Sequence, residues 1–95
     1  MNYLEAIQMM ALAKRQYKDC FMQATLTVDC DMRQWNGHTE KVTEYTVPAG
    51  SRVIVTMLSR FGDVGIRGKN INKAQHGYDA RIDPEKLENW EVLNN

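Results

Sequence analysis

Two hydrophobic periods divide the chain. Over residues 2–17 the apolar positions recur at helical spacing. At about 100° per residue, Tyr3, Leu4, Ala6, Ile7, Met9, Met10, Ala11, Ala13 and Tyr17 fill a wide arc. Glu5, Gln8, Arg15 and Gln16 fill the opposite side, with Leu12 set among them and Lys14 inside the apolar arc. Asn2 followed by Glu5 has the spacing of a capping box. This pattern predicts a helix over 2–17. Its apolar face is wider than one flank of a small sheet requires. Core packing is the first reading of that width, and weak homodimerisation through part of the face is the second.

From Phe21 onward the period shortens to two. In "FMQATLTVDCDM", Met22, Ala24, Leu26, Val28, Cys30 and Met32 alternate with Gln23, Thr25, Thr27, Asp29 and Asp31. That alternation predicts one half-buried strand with a wet face. Asn36-Gly37 is a strong hairpin turn signal, and the return strand is Lys41 to Val47, with Tyr45 and Val47 inward. After Pro48-Ala49-Gly50 a further strand carries Val53, Val55 and Met57 on one side and Arg52, Ile54 and Thr56 on the other. Val64 and Ile66 mark a short strand, "NINKAQHG" a polar loop, and Tyr78, Ala80 and Ile82 another short strand. Pro84 opens a helical turn near 84–90, with Leu87 and Trp90 inward, before a closing strand at "EVL". The predicted fold class is α+β and mostly β: an N-terminal helix packed on a small antiparallel SH3-like barrel or strongly bent sheet. Residues 1–95 form one domain, with the antiparallel strands spanning 21–93.

The barrel reading rests on layout. "VPAGSRVIV" resembles the strand entry of an SH3-like barrel, and "IDPEKLENWEVL" resembles its helical turn and closing strand. The resemblance covers Glu44 to Leu93. Phe61, Tyr78 and Trp90 are too scattered to supply the aromatic groove of a peptide-binding SH3 domain. A second resemblance lies at the chain ends. "NYLEAIQMM" and "LENWEVL" look like the two ends of phage-encoded Thoeris anti-defence proteins, while the stretch between differs in length and motif. That resemblance implies a phage source and a cyclic nucleotide ligand.

The composition is ordinary for a soluble globular chain: 43% hydrophobic, 25% charged and neutral overall. No apolar run approaches the roughly 20 residues that span a bilayer, and the N-terminus has no signal-peptide pattern. A cytoplasmic location is expected. Cys20 and Cys30 form no C-x-x-C and read as free thiols.

Charge changes the picture locally. Residues 59–81 hold Arg60, Arg67, Lys69, Lys73 and Arg81 against Asp63 and Asp79, together with four glycines. Residues 82–95 hold Lys86 against Asp83, Glu85, Glu88 and Glu91. The basic stretch is therefore either a site for an anionic ligand or half of an intramolecular match with the acidic segment. "GIRGKN" lacks P-loop spacing, yet its backbone and cations suit an anion. The candidate ligand-binding residues are Arg60, Arg67, Lys69, Lys73, Arg81, Phe61 and Tyr78.

No nucleophile, base and acid stand at a recognisable spacing. His38 lies beside a turn and His76 in a polar loop. Asp29 and Asp31 share a strand face, where carboxylates guard against edge pairing. No catalytic residue, metal site or cofactor is expected. The functional expectation is a small non-enzymatic protein-binding module of accessory or inhibitory kind. The alternative is an anion-binding module for nucleic acid or a small cyclic nucleotide, using the basic stretch.

Overall fold

A computed structural model describes residues 2–16 and 20–94. The chain is α+β: one N-terminal helix, α1 (Tyr3–Gln16), followed by seven strands in antiparallel sheets. The capping box forms as the sequence predicts. The Glu5 amide donates to Asn2 Oδ1 at 2.8 Å, and the Asn2 amide reaches Glu5 Oε1 at 3.5 Å. Tyr17, assigned to this helix from the sequence, lies outside the described residues. Ala6 is fully buried, and Tyr3, Met9 and Met10 pack against the core, whereas Leu4 and Leu12 stay exposed.

The long strand expected over 22–32 is two strands in two sheets. β1 (Cys20–Leu26) lies in a five-stranded sheet, and β2 (Cys30–Asn36) belongs to a hairpin with β3 (Lys41–Val47). At 27–29 the chain passes from the first sheet to the hairpin. Thr27 donates its amide and its hydroxyl to the Lys86 carbonyl. Asp29 Oδ1 accepts the Ala49 amide at 2.8 Å. The Thr27 amide bond extends the β1–β7 ladder, and the Asp29 bond ties the following residues to the turn before β4. Val28, expected in the core, is exposed. Leu26 and Met32 on either side of the break remain buried.

The five-stranded sheet has the order β6-β5-β4-β1-β7, where β4 is Arg52–Leu58, β5 is Val64–Arg67, β6 is Ala80–Ile82 and β7 is Leu87–Asn94. A one-turn 3-10 helix, Pro84–Lys86, precedes β7, with Asp83 Oδ1 capping the Glu85 amide at 2.9 Å. It is shorter than the helical turn expected near 84–90. The strands do not close into a barrel, because β6 and β7 stand at opposite edges and are not paired. The hairpin continues the curve instead: the Arg33 amide donates to the Asp79 carbonyl at 2.9 Å, joining β2 to the residue before β6.

Met22, Ala24, Leu26, Met32, Val47, Val53, Val55, Val64, Ile66 and Leu87 form the core on one face. The other face is covered as well. Phe21, Gln23 and Ile54 alternate with core residues, yet all three are buried. The loop over 68–79 lies against this second face. Gln23 Nε2 donates to the Ile71 carbonyl at 2.6 Å and to Asn72 Oδ1 at 3.2 Å. A buried amide satisfied twice fixes a polar loop over an apolar surface. A register shift between Val55 and Met57 then exchanges faces, so Leu58 rather than Met57 packs into the core. No helix among the described residues is long and apolar enough to cross a membrane.

Candidate recognition site

The basic stretch divides into two clusters. The first lies at the turn between β4 and β5 and on neighbouring β6. Arg81 Nε and Nη2 each donate to an Asp63 carboxylate oxygen at 2.8 Å. Nη2 also donates to Ser59 Oγ at 3.0 Å, and the same oxygen accepts the Phe61 amide at 3.0 Å. The Arg81 guanidinium, by donating to it, holds the Asp63 carboxyl below its ordinary range. In return Asp63 raises the Arg81 guanidinium, with Tyr78 a smaller contributor. This bidentate pair fixes the turn.

Phe61 sits at that turn, 73% exposed. The guanidinium carbons of Arg60 and Arg81 lie 5.1 and 5.6 Å from its ring centroid. Tyr78, expected to face inward with Ala80 and Ile82, is exposed instead, because β6 begins only at Ala80. Its Cβ packs over Gly65, where an added Cβ would stand 2.8 Å away. Gly65 is thus required by close approach, not by an anion. The cluster presents two exposed aromatic rings and two guanidiniums, one of them already neutralised.

The second cluster is interior. Arg67 Nη1 donates to Gln75 Oε1 at 3.1 Å, and Nε lies 3.5 Å from Asp79 Oδ1. Nε has no aligned hydrogen-bond acceptor, so this contact is a charge pairing rather than a hydrogen bond. Asp79 is buried, and its Oδ2 accepts from the Tyr45 hydroxyl at 2.7 Å. The Gly68 amide donates to the same Tyr45 oxygen at 3.3 Å. A Cβ on Gly68 would stand 2.5 Å from Val47 Cγ2, so only glycine lets the hairpin approach β5. Burial, reinforced by the Asp79 hydrogen bond, pushes the Tyr45 hydroxyl up to about 12. Lys69 Nζ lies 4.4 Å from the Tyr45 ring centroid.

Of the seven residues named from the sequence, Arg60, Phe61, Tyr78 and Arg81 come together, while Arg67 and Lys69 belong to the hairpin clasp. Lys73 is an exposed loop residue. The ion partners of Arg67 and Arg81 are Asp79 and Asp63, inside the stretch itself, and not the acidic segment after residue 82. Sequence reasoning missed Tyr45 and Gln75 as partners of this segment. Tyr45 was legible only as an inward strand residue, because its hydroxyl partner is 34 positions away.

The described residues contain no cluster of three or more His, Cys, Asp and Glu side chains suited to a metal ion. Burial, with the Asp31 charge beside it, pushes the Cys30 thiol up, away from the nucleophilic thiolate. Comparisons of the chain with models of protein families, with curated proteins and with solved structures gave no match.

Proposed function

We propose that this protein is a non-enzymatic binding module whose partner is another protein, in an accessory or inhibitory role. The Phe61 cluster is its contact surface. The observation that carries this reading is the exposure of the Phe61 ring on a turn that is otherwise tightly fixed. A mobile loop tip gains little by displaying a phenyl ring to water. A fixed one presents an apolar anchor with little ordering cost on binding. Aromatic and Arg side chains dominate the energetics of protein interfaces. Asp63 neutralises Arg81, so the patch carries a modest surplus charge rather than the strong field that phosphate binders use. Residues 44–93 keep the 3-10 turn before the last strand of an SH3-like layout, but β3 and β7 pair with β2 and β1 outside that stretch.

Affinity capture from the native cell, with and without nuclease treatment, tests this reading. The wild-type chain should retain a defined protein that Phe61→Ser releases, while both chains show the same thermal unfolding. Equal retention by the two chains would refute it.

One observation favours the alternative, an anion site for nucleic acid or a small cyclic nucleotide. Arg60, Lys69 and Lys73 form no ion pair among the described residues. Their charge is available to phosphate. Nuclease-sensitive capture would select this reading.

A further inference from the structure

The two outermost strands are finished differently. β7 has an irregular pairing with β1: the register shifts between Gln23 and Thr25, opposite Asn89, which adopts a left-handed φ of 51°. It also carries Glu88 and Glu91. Irregularity and charge are ordinary protections of a sheet edge. β3 carries as much charge, Lys41 and Glu44, but none of the irregularity. It pairs with β2 through seven consecutive residue pairs without a shift. Among the described residues, no strand pairs with its other edge. Its sequence, KVTEYTV, is rich in strand-forming residues.

The same hairpin exposes apolar surface. Trp35 and Val42 stand directly opposite each other and are 67% and 47% exposed. Farther along, a depression of about 390 Å³ is lined by Asp31, Met32, Arg33, Glu44, Tyr45 and Thr46. Its charged members are two carboxylates and one guanidinium, and Arg33 Nε already lies 3.4 Å from Glu44 Oε1. The lining is therefore mildly acidic.

We propose that the free edge of β3 takes up an extended segment of a partner protein by strand addition. An apolar side chain of that segment seats on Trp35 and Val42, and a Lys or Arg turns toward Asp31 and Glu44. Main-chain hydrogen bonds along the edge supply affinity, and alternate side chains supply selection. A second copy of this chain fits less well. Symmetric antiparallel pairing of two β3 strands about their midpoint sets Glu44 opposite Glu44, and like charges directly opposite are destabilising. This surface uses none of the residues of the Phe61 cluster, so the two inferences fail separately.

The test is selection of peptides from a random displayed library on the full folded chain. The strongest peptide is then titrated against the labelled protein by NMR. The expected peptide alternates apolar and basic residues and shifts the amide resonances of 41–47. Trp35→Ala and Glu44→Gln should each weaken it, Trp35→Ala by about ten-fold or more. Methylating alternate backbone nitrogens of the peptide should abolish binding without touching the protein, so a poorly folding variant leaves the test intact. Failure to select any peptide would overturn the proposal. So would shifts confined to other surfaces, or indifference to N-methylation. Concentration-dependent broadening of 41–47 in the protein alone would replace the partner segment by a second copy and overturn the occupant proposed.

Discussion

The Tyr45 hydroxyl donates to the buried Asp79 carboxylate across 2.7 Å, joining the β2–β3 hairpin to the segment that leads into β6. Around this bond, Arg67 supplies the countercharge and the Gly68 amide occupies the remaining side of the phenol oxygen. The clasp explains why a hairpin outside the main sheet still buries Met32 and Val47.

Tyr45→Phe removes the donor and leaves the buried carboxylate short of one partner. The expected cost is about 1–3 kcal/mol in urea unfolding. The wild type should also lose stability in alkali. The folded hydroxyl titrates at about 12 and an unfolded tyrosine near 10, so the folded state retains the proton longer. This contribution is complete below about pH 10 and is lost as pH rises toward 12. Tyr45→Phe should lack that alkaline loss when unfolding is followed across the same range.

Arg67→Ala should destabilise the protein, because it withdraws the cation facing buried Asp79. Arg60→Ala should leave the unfolding midpoint nearly unchanged, since Arg60 is exposed and makes no ion pair among the described residues. Chemical unfolding of the two variants side by side checks the division of the basic stretch into clasp and surface. Equal effects would mean that the division is wrong.

Leu26→Ala should cost about 2–5 kcal/mol, because the side chain is fully buried among β1, β4 and β7 neighbours. Thr27→Ala, one position on, should be much milder. Its hydroxyl bond to the Lys86 carbonyl is exposed, and the amide bond to the same carbonyl survives. Urea midpoints of the two variants provide the comparison.

Leu12→Glu should leave monomer stability within about 0.5 kcal/mol, because the residue is an exposed surface position. If the exposed Leu4 and Leu12 support weak homodimerisation, sedimentation should depend on concentration in the wild type and not in Leu12→Glu. A wild type that sediments as a monomer at every concentration would leave these leucines as unpaired surface residues.

Alternation in the sequence made most strands legible, and the capping box made the start of the helix so. Both are local signals. The split of the first long strand was not legible, because alternation continues unbroken through Thr27, Val28 and Asp29. The partners that hold these residues, Lys86 and Ala49, lie far away in the sequence. The burial of Ile54 was hidden for a similar reason. A loop rich in Asn, Lys and Gln does not advertise that it covers a sheet face. In the candidate site, the basic surplus was visible but its sorting was not. Asp63 and Asp79 looked like two minor charges, yet each takes one arginine. That leaves Phe61 and Tyr78, rather than the cations, as the most conspicuous exposed feature of the stretch.

In the proposed role, the Phe61 cluster binds a protein through an apolar anchor. The most direct measurement is the affinity for the captured partner as a function of salt, for the wild type and Phe61→Ser. A shallow salt dependence is expected, with a loss of about ten-fold or more in the variant at every salt concentration. A steep decline with salt, with Phe61→Ser binding as tightly as the wild type, would contradict it.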